Sequence, residues 1–120
     1  MQLWPTSDQV AIALVAAVAV VDLQSYWAEL AARQRSGKQE LRHARIYAAV
    51  ALRELFDDKH TPGGPGNVAF SRMVGDCKGG LLTAYDNQAR RGASDWFDRR
   101  KVEAVKAAVR KGKLDVVQVS

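Results

Sequence analysis

The sequence predicts an all-α fold: a bundle of four to five helices around a hydrophobic N-terminal helix, with a short strand-like C-terminal tail. Three observations predict it. Val10–Val21 reads VAIALVAAVAVV, a run of 12 residues without a polar side-chain atom. Most of the remaining chain repeats its apolar residues at helical spacing, i, i+3, i+4 and i+7. The only β-branched, strand-like stretch is the tail KLDVVQVS.

The first helix is expected over residues 7–35. Ala is the best helix former, and Val and Ile are only mildly unfavourable. Leu23, Tyr26, Trp27, Leu30 and Ala31 continue one helical face. Thr6 and Gln9 fit a capping box, Pro5 stops extension upstream, and Asp8 suits the positive end of the dipole. Ser36-Gly37 is the natural stop. A helix apolar on every side is expected to be buried on every side, in a core or against a partner. A run of 12 residues bracketed by Asp8 and Asp22 falls short of the roughly 20 needed to span a bilayer. It also lacks the positive flank of a signal peptide.

The second helix, residues 38–56, carries the stripe Leu41, Ala44, Ala48, Ala51, Leu52 and Leu55, widened by Ile46 and Val50, and the short link makes it the partner of a helical hairpin. Lys38, Arg42, Arg45 and Arg53 fall near one face, read either as an ordinary solvated face or as a phosphate-facing one. The loop 57–67 follows, where Pro62–Gly66 holds two prolines and three glycines and cannot continue a helix. Then come short helices over 68–74 and 81–90, separated by the turn GDCKGG. Ser94 is expected to cap a last helix, 95–111, with Phe97, Val102, Val105, Ala108 and Val109 buried and Arg99, Glu103, Lys106 and Arg110 wet. Gly112 ends it. The 120 residues suit one domain, 1–120, with an ordinary globular composition of 48% hydrophobic residues.

Charge is lopsided. The net charge is +5, and the second half holds the surplus: residues 61–93 carry four bases and two acids, residues 94–120 seven and four. A phosphate-bearing partner is therefore sought there. Cys77 is the single cysteine, so no internal disulfide framework exists. The reading is a reducing, cytoplasmic compartment.

Catalysis finds little support. His43 and His60 lie on different elements, and no zinc spacing is present. GDCKGG lacks the spacing of a phosphate-binding loop. Cys77 stands beside Lys78, but no oriented base accompanies it. Asp57, Asp58 and His60 read as a loop rim rather than as a metal site. No catalytic residue, metal or cofactor is expected.

Asn67–Asp86 carries the most specific pattern. Taking Gly75 as the turn, Phe70, Val74, Leu81 and Ala84 fall on apolar positions and Ser71 on a small one. This segment resembles helix-turn-helix DNA-binding proteins over about one sixth of the chain. Asp76 departs from the pattern, standing where an apolar residue is expected, and Gly79-Gly80 weakens the start of the second helix. The resemblance implies a non-catalytic regulatory protein that binds nucleic acid, DNA above all, through residues 67–90. Lys78, Thr83, Asn87 and Arg90 would face a groove, and Arg91, Arg99, Lys106 and Arg110 would meet phosphates. The alternative is two short helices packed around a glycine turn. Lys101–Val116, in turn, is similar to the C-terminal segment of flagellar anti-sigma factors, which keeps open an adaptor or inhibitor binding another protein. For assembly, a two-fold dimer joined through the tails and first helices stands beside a monomer with a frayed tail.

Overall fold

The computed structural model describes residues 4–21, 37–56 and 65–112, and of residues 37–41 the backbone alone. Among these residues are five α-helices: α1 Ser7–Val21, α2 Gly37–Phe56, α3 Asn67–Met73, α4 Leu81–Arg90 and α5 Arg99–Lys111. There is no strand among the described residues, so the all-α expectation holds. The continuation of the first helix to residue 35, the link at Ser36, most of the Gly/Pro loop and the tail from Lys113 lie outside the described residues. So does the side chain of Leu41.

The start of α1 is as its residues predict. The Gln9 side chain accepts from the Thr6 N–H at 2.8 Å, and the Thr6 hydroxyl accepts from the Gln9 N–H at 3.1 Å. These reciprocal bonds satisfy donors that a helix start otherwise leaves open. Burial of α1 differs from expectation. Ile12, Ala13, Ala16 and Ala17 are fully buried, whereas Leu14, Val15 and Val18 are partly buried. The helix enters the core through one face rather than all round.

The enclosed helix is α2. Every residue from Ile46 to Leu52 is buried, at 2% exposure or less. The reason is its neighbours: α1 and α5 pack on α2 and on each other, and α3 and α4 likewise pack on α2 and on each other. Ala44, Ala48, Ala49 and Ala51 are small enough to let helices approach on several sides. Tyr47, Val50 and Leu52 fill the remaining space. Arg53, expected on a solvated stripe with Arg42 and Arg45, turns inward to α3 and α4.

The last helix begins four residues later than expected. Asp98, not Ser94, caps α5, its carboxylate accepting from the Arg100 N–H at 2.9 Å. Tyr47 explains the shift. Its hydroxyl accepts from the Asp98 N–H at 2.9 Å and donates to the Trp96 carbonyl at 3.2 Å. Those two groups are thereby removed from helix formation. The Ser94 carbonyl accepts from the Phe97 N–H within a turn. Phe97 consequently stacks on Tyr47, centroids 5.0 Å apart, rather than lining α5. The predicted inner face of α5, Val102, Val105, Ala108 and Val109, is buried.

Candidate nucleic-acid interface

Helices α3 and α4 and the turn between them form a unit held by two small side chains. Ser71, fully buried, donates its hydroxyl hydrogen to the Asn67 carbonyl at 2.7 Å and accepts from the Leu82 N–H at 3.0 Å. A small residue is needed there because the two helices meet across it. Asp76, the departure from the helix-turn-helix pattern, has a role of its own. Its carboxylate accepts from the N–H groups of Lys78, at 3.3 Å, and Leu81, at 2.8 Å. It thus supplies the start of α4 with the partner that Gly80, having no side chain, lacks. Gly75 and Gly79 take positive φ, 103° and 78°, a conformation costly for other residues. The turn spans residues 74–80, longer than the three or four residues usual in a helix-turn-helix.

The predicted apolar positions behave as expected in part. Phe70, Val74 and Leu81 are buried, while Ala84 is partly buried. Leu82, which the pattern did not single out, is fully buried.

The rotation of α4 is set by Arg53. Its guanidinium makes two hydrogen bonds to the Asp86 carboxylate, at 2.9 and 3.1 Å, and a third to the Asn67 side chain at 3.1 Å. Asn67 closes the triangle by donating to Asp86 at 3.1 Å. With Leu81, Leu82 and Asp86 turned inward, Thr83, Asn87 and Arg90 share the outer face and are exposed, as is Lys78 in the turn. Arg90 donates to the Asn87 side-chain oxygen at 3.0 Å. Arg91, just past the helix, is exposed as well.

Two expected phosphate contacts are committed elsewhere. Arg99 pairs with Glu54 and, at 3.0 Å, with Glu103. Lys106 reaches Glu54 at 3.1 Å and Glu103 at 3.4 Å. Only 12% of the Lys106 side chain is exposed, so it is not on the wet face of α5. The Arg99 hydrogen bond, more than the charges around it, holds the Glu54 carboxyl below its usual range. The same bond raises Arg99. Arg110 is exposed at the end of α5. The helix then ends at Gly112, in the left-handed region at φ 68°.

Sequence reasoning missed Arg72 and set Arg45 on a stripe with Lys38, Arg42 and Arg53; the guanidinium groups of Arg45 and Arg72 lie against the glycine turn. Their distance from it along the chain, or their position before it, gives no pattern to read. Cys77 is exposed in the same turn, and His43 stacks on Trp96, ring centroids 3.8 Å apart. Among the described residues no three His, Cys, Asp or Glu side chains group as metal ligands; Asp57, Asp58 and His60 lie outside them. No described helix is long and apolar enough to cross a membrane.

No family model, curated protein or solved structure matches the chain. The two local resemblances therefore rest on their residues alone.

Proposed function

We propose that the chain is a small, non-catalytic cytoplasmic regulator that binds nucleic acid, DNA above all, through the outer face of α4. One observation carries the reading. Thr83, Asn87 and Arg90 lie on one exposed helical face, while the Arg53–Asp86 pair fixes that helix to the core. These are chemically suited side chains: Asn reads adenine through paired donor and acceptor, Arg reads guanine, and Thr offers a hydroxyl and a methyl group. Lys78 at one end of the face and Arg91 at the other supply cations for phosphates. Arg110 adds a further charge from α5. Arg99 and Lys106 act as structural partners of Glu54 instead. A two-fold dimer would present two such faces to two half-sites.

The test is base preference. Asn87→Ala and Thr83→Ala variants, assayed by competition among duplexes of varied sequence, should lose discrimination of roughly tenfold or more, about 1–3 kcal/mol for each well-made base contact. Unchanged preference in both variants would remove the α4 face from the reading.

A second reading is a protein-binding adaptor or inhibitor. The observation favouring it is Val15 on α1, an apolar side chain left partly exposed while its neighbours Leu14 and Val18 pack against the core. A stoichiometric protein partner that survives nuclease and high salt, released by Val15→Glu, would favour it over nucleic acid.

A further inference from the structure

On the outer face of α4 one hydrogen bond ties two exposed side chains together. The Arg90 guanidinium donates to the Asn87 side-chain oxygen at 3.0 Å. Residues three apart are neighbours on a helix surface, so the bond needs no distortion of α4. Arg carries donors and no acceptor, and it can therefore bond only to the oxygen of the Asn87 amide. The bond settles which way that amide is turned. Its oxygen is toward Arg90, and its NH2 group donates to no other described residue. Both side chains stand in solvent, on the side of α4 opposite Leu81, Leu82 and the Arg53–Asp86 pair. What the two offer outward is accordingly a set of donors: the Asn87 NH2 group and the N–H groups that Arg90 has left.

We propose that Asn87 and Arg90 read as one all-donor unit, and that the α4 face selects guanine over adenine in duplex DNA. The proposal rests on the nucleic-acid function above and names its target. Taken singly, Asn reads adenine by accepting from the N6 amino group and donating to N7. Here Arg90 already engages the acceptor. The oxygen keeps a second lone pair. An adenine amino group using it would stand beside the guanidinium, donor against donor and partial positive charge against full charge. Guanine presents two acceptors in the major groove, N7 and O6, and no donor there. Both members of the pair match it, Arg90 with paired N–H groups and Asn87 with its NH2 group. Three residues advance a helix by about 4.5 Å, against about 3.4 Å between stacked bases. The pair can thus address one guanine together or two guanines in succession.

The test is selection by the full chain from a pool of randomised duplexes, carried out for the wild type and for Arg90→Ala. The wild type should retain duplexes with guanine at one or two adjacent positions. Replacing that guanine by 7-deazaguanine, which lacks the N7 acceptor, should weaken binding roughly tenfold. In Arg90→Ala the Asn87 oxygen is released, and the favoured base should change from guanine to adenine. Both side chains are exposed, so the variant keeps its fold, as an unchanged melting curve would verify. The bond itself is read without DNA: the Asn87 side-chain NH2 signals in the NMR spectrum should move in Arg90→Ala, and those of Gln88 should not. Adenine selected by the wild type, the same base preference in both proteins, or stationary Asn87 signals would each overturn the inference and leave duplex binding through α4 standing. No duplex retained at low salt would overturn the nucleic-acid reading and the inference with it.

Discussion

The Arg53 guanidinium grips the Asp86 carboxylate with two hydrogen bonds, at 2.9 and 3.1 Å, joining α2 to α4 across 33 positions of sequence. Both side chains are largely buried, 21% and 29% exposed, and a paired fork of this kind is stronger than an ordinary surface ion pair. Asp86→Ala should therefore destabilise the fold by about 1–3 kcal/mol, the range for hydrogen bonds to charged groups. Urea unfolding of Arg53→Ala, Asp86→Ala and the double variant measures the coupling. Additive losses would show that the pair does not hold α4 in place.

Tyr47→Phe removes one oxygen and two hydrogen bonds. The variant should lose about 1–2 kcal/mol, since the N–H of Asp98 and the carbonyl of Trp96 are left to find other partners. Near-ultraviolet circular dichroism should change too, because Trp96 and Phe97 are positioned by that hydroxyl. A melting temperature and aromatic signal equal to wild type would contradict the lock.

Acid should weaken the α2–α5 contact. Hydrogen bonding by Arg99, with further help from Lys106, lowers the Glu54 carboxyl in the folded chain. A depressed folded value means that its stabilisation is fully present above the ordinary glutamate range and is lost as pH falls through the folded value. Unfolding free energy should thus decline from about pH 4–5 downward. Glu54→Gln should flatten that decline; equal slopes for the two proteins would remove Glu54 as a cause.

Gly79→Ala tests the turn. An added Cβ would stand 2.6 Å from Val68 Cγ1, and φ of 78° already disfavours it. The cost should be about 1–3 kcal/mol, read from thermal or urea unfolding. Gly80→Ala, where nothing lies within 4 Å and φ is ordinary, is the control. Equal stability of the two variants would contradict the described turn.

Elements whose cause is local were legible in the sequence. The Thr6–Gln9 box, the glycine stop at Gly112 and the alternating faces of α5 each depend on residues a few positions apart. Features set by distant partners were not. The start of α5 moved from Ser94 to Asp98 because Tyr47, 51 positions earlier, holds the Asp98 N–H. Lys106 sits on a helical face that reads as wet, yet Glu54 on α2 draws it in. The stripe on α2, widened by Ile46 and Val50, was legible, but the pattern of alanines does not say how many helices they admit. At the candidate interface, Thr83, Asn87 and Arg90 followed from helical spacing alone. Arg45 and Arg72 required the fold to bring them to the turn.

Nucleic-acid binding is measured most directly as duplex affinity as a function of salt. Neutralising about four phosphates should give a log–log slope of about −3 to −4 for the wild-type chain. Charge reversal at Lys78 and Arg90 should weaken binding, while reversal at Lys111, not assigned to the interface, should matter less. No binding to duplex or single strand at low salt, or an affinity indifferent to salt, would contradict the account.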